Sequence, residues 1–170
     1  MKQRITVVWI AALIVCMLSG CSNAEERSAT GVSQGKRAPD FVLKDIDGKQ
    51  VSLSSFRNNN PVCLLFWATW CPYCVREIPR VKSLHEKYAP KGLKILSINI
   101  AANDPIQRVI GFRERYQLPY TILYDEQNTV SQLYGVMGIP VSVIIDRNGI
   151  IRYRGYQLPD NVEDILKALM

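Results

Sequence analysis

The feature that most constrains the fold of this chain is a continuous apolar run that ends directly before two closely spaced cysteines. Val62 to Ala68 contains no charged or amide side chain, which is typical of a strand buried on both faces. Cys71-Pro72-Tyr73-Cys74 follows almost at once, and a proline after the first cysteine favours a helix that begins there. The sequence therefore predicts a C-x-x-C motif at the junction of a buried strand and a helix.

The rest of the chain alternates between strand and helix patterns. Phe41 to Leu53 predicts a hairpin that turns at Asp47-Gly48. Apolar runs and turn residues predict strands at 93–100, 121–124, 141–145 and 150–154, and helices at 72–88, 104–116, 129–134 and 161–169. Asp104 is expected to cap its helix, and Pro79 is expected to kink the first one. This order predicts an α/β domain with a central mixed β-sheet flanked by helices and an N-terminal β-hairpin extension.

The N-terminus has the pattern of an export signal. Lys2 and Arg4 precede an apolar stretch from Ile5 to Leu18, which is short for a transmembrane helix. Leu18-Ser-Gly-Cys21 resembles the lipobox of bacterial lipoproteins, which implies cleavage before Cys21 and acylation of its thiol. The alternatives are an uncleaved signal anchor and ordinary secretion. We expect an extracytoplasmic protein, anchored by lipidated Cys21 to the periplasmic side or outer surface of a bacterial membrane.

Composition divides the chain into three parts. Residues 22–37 are polar and nearly free of apolar side chains, so they predict a flexible tether. We therefore predict a signal peptide at 1–20, a lipid-anchored linker at 21–37 and one folded domain at 38–170. The formal net charge of +6 comes from scattered Lys and Arg residues without a basic run, which argues against nucleic-acid binding.

The C-x-x-C motif predicts thiol chemistry. Free N–H groups and the positive dipole end of a helix stabilise a thiolate, which is the nucleophile in disulfide exchange. Cys71 would be the exposed attacking sulfur and Cys74 the buried resolving thiol. A zinc site would need four ligands, and only Cys63 and His85 remain, at the wrong spacing. A purely structural disulfide is the other alternative, although so small a loop stabilises little. We expect Cys63 to be an inert buried thiol and His85 to face solvent.

Four short motifs carry a resemblance to a known family. Residues 66–74, Phe-Trp-Ala-Thr-Trp-Cys-Pro-Tyr-Cys, resemble the active-site stretch of the thioredoxin superfamily. Glu77-Ile-Pro79, Ala38-Pro-Asp-Phe41 and Gly138-Ile-Pro140 resemble its ResA-like and TlpA-like branch, and the similarity covers nearly all of 38–170. The resemblance implies a thioredoxin-like fold and a protein-disulfide reductase outside the cytoplasm.

The same resemblance suggests partners. Its substrates would be proteins with disulfides or thiols, for example apocytochrome c before haem attachment. A membrane thiol-disulfide protein would supply electrons, and no cofactor would be needed beyond the redox-active disulfide. We expect a monomer.

The resemblance also implies roles for individual residues. Pro140 matches the family's cis-proline, which faces the cysteines, and Ile139 would pair its backbone with a bound peptide. Trp70, Pro72 and Tyr73 would complete the substrate-binding surface.

Glu77 is the candidate proton acceptor for Cys74. It follows that cysteine by three residues, hence near the same helix face, whereas the buried acid of thioredoxin corresponds to Leu65 here. The alternative is a surface glutamate beside Arg76 or Arg80.

The direction of electron flow is less constrained. The Pro-Tyr dipeptide is typical of glutaredoxins, and members of the superfamily span potentials from about −270 to about −120 mV. A reductant ranks first by resemblance, with an oxidant or isomerase of the same fold as the alternative. A peroxiredoxin would need Pro-x-x-x-Thr-x-x-Cys and a Sco-like copper chaperone C-x-x-x-C with a distal histidine, and neither pattern is present.

Overall fold

A computed structural model describes residues 29–170 of the chain. The predicted signal peptide, Cys21 and the first part of the predicted tether lie outside the described residues.

Within residues 29–170, seven strands form a small hairpin and a larger mixed sheet. Their bounds are β1 Val42–Lys44, β2 Gln50–Ser52, β3 Val62–Trp67, β4 Lys94–Asn99, β5 Thr121–Tyr124, β6 Val141–Ile145 and β7 Ile151–Gly155. In the larger sheet, neighbouring strands lie in the order β5-β4-β3-β6-β7. Strands β3, β4 and β5 are parallel, whereas β6 and β7 run antiparallel to their neighbours, which confirms the predicted mixed sheet.

The helices lie close to their predicted positions. Their bounds are α1 Pro72–Tyr88, α2 Ile106–Tyr116, α3 Thr129–Leu133 and α4 Val162–Leu169, with short 3₁₀ turns at Leu53–Phe56 and Ala89–Lys91. Pro79 lies inside α1, and the kink expected there stays a prediction. Within residues 29–170, no helix combines the length and apolar character needed to cross a bilayer.

The central strand β3 separates two hydrophobic cores. Successive side chains of a strand point to opposite faces of its sheet. Leu64 and Phe66 therefore pack in the core that contains Tyr134, whereas Cys63 and Trp67 pack in the core that α1 closes. Burial on both faces explains why this run has no polar side chain.

The N-terminal hairpin is confirmed. Leu43 of β1 pairs with Val51 of β2, and the turn between the strands is closed by the Gly48 N–H, which donates to the carbonyl of Asp45. Gly48 has a positive φ of 87°, a conformation that glycine adopts without strain.

The domain boundary predicted at Ala38 is placed too late, because backbone hydrogen bonds join residues before Ala38 to the domain. The Gly35 N–H donates to the Ile151 carbonyl over 2.8 Å, and the Ile151 N–H donates to the Lys36 carbonyl over 2.9 Å. A polar segment can be ordered without burying apolar side chains when its backbone pairs with an exposed sheet edge. The prediction of a flexible tether is therefore wrong for residues 30–37.

Candidate active site

The C-x-x-C motif lies where the sequence predicts it, between β3 and α1. The Cys71 N–H donates to the Ala68 carbonyl, so a tight turn joins the strand to the helix. Cys71 is the N-cap residue of α1, and its Sγ accepts a hydrogen bond from the Cys74 N–H over 3.1 Å. A free N–H of the first helical turn is thus directed at the first sulfur, which is the geometry that stabilises a thiolate.

The two cysteines form a disulfide, and both are covered. Cys71 is 3% exposed and Cys74 is 7% exposed. The expectation that Cys71 is an exposed sulfur is therefore wrong for this oxidised form, because its side chain is bonded to Cys74 and packs in the core closed by α1. The surface at the motif is instead formed by Trp70, which is 49% exposed, and by the exposed Pro72 and Tyr73.

Pro140 faces the motif from the loop before β6. The Ile139-Pro140 peptide bond is cis, which confirms the prediction. Pro140 lines the same cavity as Cys74, and Ile139 is half-buried and packs against both cores. The structure therefore brings the predicted peptide-binding loop next to the disulfide.

Glu77 lies on the same side of α1 as Cys74, and both side chains line a cavity of about 40 Å³ behind the disulfide. The Glu77 carboxylate accepts a long hydrogen bond of 3.4 Å from the Leu158 N–H. Arg80, one of its two expected surface partners, donates to the Leu158 and Pro159 carbonyls. The cavity is otherwise lined by Leu65, Phe66, Trp67, Ile78, Val81, Ser97, Phe112, Leu118, Tyr120, Pro140 and Ser142.

The other expected partner of Glu77 lies against a neighbouring aromatic ring. The Arg76 guanidinium lies over the ring of Tyr73, 4.3 Å from its centroid. Both arginines thus contact groups other than Glu77, whose side chain lines the cavity and accepts from the Leu158 N–H.

Asp104 has a different role from the expected one. Helix α2 begins at Ile106 with Pro105 as its N-cap residue, and no side chain caps it. The buried Asp104 carboxylate instead accepts hydrogen bonds from Thr69, just before the motif, and from Asn99. The sequence did contain a signal for the contact between Thr69 and Asp104. Thr69 follows β3 and Asp104 follows β4, and the carboxyl ends of adjacent parallel strands meet at one edge of a sheet.

Three residues outside the proposed thiol chemistry lie partly or fully buried. Cys63 is a buried free thiol, as expected, and burial raises its pKa to about 12. Trp67 is buried, with its ring centroid 5.1 Å from that of Phe112. His85 is half-buried beside Tyr120 rather than fully facing solvent, which corrects that expectation. Across the described part of the chain, no group of three or more His, Cys, Asp or Glu side chains could hold a metal ion.

Sequence comparison finds one family and several named relatives. The AhpC/TSA family matches residues 34–154. The thiol-disulfide oxidoreductase ResA of Geobacillus kaustophilus is 36% identical over 175 residues, covering 99% of each chain. ResA of Bacillus thuringiensis subsp. konkukian is 32% identical over 99% of this chain and 98% of its own. The thioredoxin-like protein YneN of Bacillus subtilis is 31% identical over 85% of this chain and 86% of its own.

Structural comparison finds the same fold. A crystal structure of an uncharacterized conserved protein from Geobacillus kaustophilus superposes with a TM-score of 0.74 at 27% identity, covering 82% of each chain. The thioredoxin domain of a thiol-disulfide oxidoreductase from Bacteroides vulgatus superposes with a TM-score of 0.72 over 82% of this chain and 100% of its own. At 20% identity the second likeness bears on the fold alone, which is thioredoxin-like.

Proposed function

The chain belongs to the AhpC/TSA family and, within it, to the ResA-like thiol-disulfide oxidoreductases, and from this premise we propose that it reduces protein disulfides outside the cytoplasm. It is a thiol-disulfide oxidoreductase. The observation that carries the proposal is the Cys71–Cys74 pair at the start of α1, with the Cys74 N–H directed at the first sulfur.

The reduced pair acts in two exchange steps. The Cys71 thiolate attacks one sulfur of a substrate disulfide, which forms a mixed disulfide and releases the other substrate sulfur as a thiolate. Cys74, as a thiolate, then attacks Cys71, which releases the second substrate sulfur and closes the Cys71–Cys74 disulfide. Two electrons pass to the substrate, and the two protons given up by the cysteine pair end on its two thiols.

Glu77 is the proposed acceptor of the Cys74 proton. Its position on the cavity that Cys74 also lines supports this role, because a general base must reach the proton directly or through one water. A cavity of about 40 Å³ has room for such a water.

The protein substrate binds across the face formed by Trp70, Pro72, Tyr73, Ile139 and Pro140. Exposure of the first three and the half-burial of the last two support this assignment. A peptide segment would lie in extended form along Ile139, with its disulfide above the motif. The aromatic rings of Trp70 and Tyr73 supply apolar contact area at little entropic cost.

Resemblance to the ResA-like and TlpA-like branch supports electron flow from Cys71–Cys74 to the substrate, with a membrane thiol-disulfide protein restoring the dithiol. Apocytochrome c is a substrate of the right chemistry. The alternative is an oxidant or isomerase. The equilibrium potential of the pair against glutathione or dithiothreitol decides between them: we expect about −270 mV, and a value near −120 mV would reverse the direction.

The proposed location rests on the N-terminal sequence pattern, with Cys21 acylated. The Cys21→Ala variant should then lack the acyl chains and no longer be recovered in the membrane fraction. An unchanged mass together with membrane retention would contradict the lipid anchor.

The function itself is tested by insulin reduction with dithiothreitol as electron donor. The wild-type chain should accelerate precipitation of the reduced insulin chains, and Cys71→Ser should remove the acceleration. Undiminished activity of Cys71→Ser would overturn the assignment of Cys71.

A further inference from the structure

Asp104 joins two loops beside the active site. Its carboxylate is 1% exposed and accepts hydrogen bonds from the Thr69 N–H over 2.7 Å and from the Thr69 hydroxyl over 2.5 Å. A third bond comes from the Asn99 side-chain amide over 2.7 Å. A buried carboxylate is costly unless it is hydrogen-bonded, so these donors hold it in one position.

The Asn99 side chain and the Asp104 backbone hold an unusual loop between β4 and α2. Ala101 and Asn103 have positive φ values of 56° and 50°, which residues other than glycine seldom adopt. The Asn99 side-chain carbonyl accepts from the Ala101 N–H over 2.9 Å, and the Asp104 N–H donates to the Ala101 carbonyl over 3.3 Å. This local conformation therefore depends on the Asn99 side chain, which the Asp104 carboxylate holds, and on the Asp104 backbone N–H.

The loop presents a carbonyl to Trp70. The Trp70 indole N–H donates to the Ala102 carbonyl over 2.7 Å. Trp70 directly precedes Cys71 and exposes about half of its side chain. The Asp104 carboxylate is thus linked to Trp70 by two routes. One runs through Thr69, the preceding residue, and the other through the Asn99 side chain and the loop that accepts the indole hydrogen bond.

We propose that Asp104 is a positioning residue that holds Trp70 as a fixed apolar wall for protein substrates, without taking part in thiol chemistry. The inference rests on the proposed function and deepens it. A ring that is already ordered loses less conformational freedom when a protein docks, so affinity for proteins depends on Asp104. A small disulfide contacts only the cysteine sulfurs and not the Trp70 ring, so its reaction rate does not depend on how that ring is held.

The test compares Asp104→Asn with a matched control, Asp125→Asn. Asp125 is also fully buried, and its carboxylate accepts bonds from the Val130 and Ser131 N–H groups at the start of α3. None of its side-chain bonds goes to Thr69, Asn99 or Trp70. The full chain is assayed in mild detergent with insulin and with oxidised glutathione. Because a hydrogen bond to a charged group is lost, we expect KM for insulin to rise about five- to tenfold in Asp104→Asn. Its rate with oxidised glutathione should stay within about twofold of wild type, and the control should change neither.

A second variant tests the route through Trp70. Trp70→Phe keeps an aromatic ring but removes the donor to Ala102, so it should raise KM for insulin similarly. The double variant with Asp104→Asn should add little, because both changes break one chain of contacts. If circular dichroism shows Asp104→Asn to be unfolded, Thr69→Val replaces it, since only the hydroxyl bond is then lost.

Two results would overturn the inference. Asp104→Asn could behave like the control, or it could slow both disulfides equally, which would mean that it acts on Cys71. A wild-type chain inert towards both disulfides would instead refute the proposed function.

Discussion

The carboxylate of Glu77 and the side chain of Cys74 lie three residues apart on α1 and line one cavity behind the disulfide. Glu77 is the one carboxylate among the described residues that line it. Leu65, at the position of thioredoxin's buried acid, lines the same cavity. The carboxylate on this cavity therefore comes from the helix, whereas the strand position that corresponds to thioredoxin's acid carries a leucine.

Removing the Glu77 carboxylate should slow the resolving step. In Glu77→Gln we expect the mixed disulfide to decay roughly 10²-fold more slowly, since the loss of a general base costs about 10²–10⁴ in rate. Stopped-flow measurement with a fluorescent peptide disulfide separates this step from the first attack. Glu86→Gln is the matched control, because Glu86 is exposed on the same helix. Equal decay in the two variants would show that Glu77 accepts no proton.

The two cysteines should fail in different ways. Cys74→Ser leaves the attacking thiol and removes the resolving one, so a mixed disulfide with substrate should accumulate, visible on a non-reducing gel. Cys71→Ser should trap nothing. Adducts of similar yield on both variants would contradict the assigned order of attack.

Among the three cysteines within residues 29–170, the reduced form should contain one reactive thiol at mildly acidic pH. The Cys74 N–H and the start of α1 favour the thiolate of Cys71, so iodoacetamide at pH 6 should alkylate Cys71 well before Cys63. Peptide mapping by mass spectrometry measures both rates. Because Cys71 is covered in the oxidised form, equal and slow labelling of the two would mean that reduction does not make it accessible.

Cys63 should make the fold sensitive to alkaline pH. Burial raises the pKa of its thiol from 9.0 to about 12, so the unfolded chain loses this proton before the folded chain does. Its contribution to stability is complete below pH 9 and is lost as pH rises towards 12. The slope reaches about 1.4 kcal/mol per pH unit.

Urea unfolding of the oxidised protein at several pH values measures this effect, with Cys63→Ala as reference. Tyr120 and Tyr134, whose pKa values burial also raises, contribute equally to both proteins and cancel. We expect the stability difference between wild type and variant to shrink above pH 9. Parallel curves would show that Cys63 keeps its ordinary pKa.

Local patterns were enough to predict most of the fold. The apolar run before Cys71, the hairpin turn at Gly48 and the helix that begins at Pro72 depend on side-chain periodicity and on backbone preferences of neighbouring residues. Each was confirmed. The cis bond at Pro140 was predicted through family resemblance, since an X-Pro bond alone favours trans.

Tertiary structure decided what depends on residues far apart in the chain. Asp104 looked like a helix cap from its neighbours, but its carboxylate contacts Thr69, 35 positions earlier, because β3 and β4 end side by side. Residues 30–37 looked unstructured from composition, but their backbone forms hydrogen bonds with Ile151 of β7. The sequence by itself determined that a C-x-x-C motif stands between a buried strand and a helix, and the structure places the Cys71–Cys74 disulfide there. Burial of Cys71 and the partners of the polar groups were decided only by packing, because hydrogen bonds and exposure depend on distance in space.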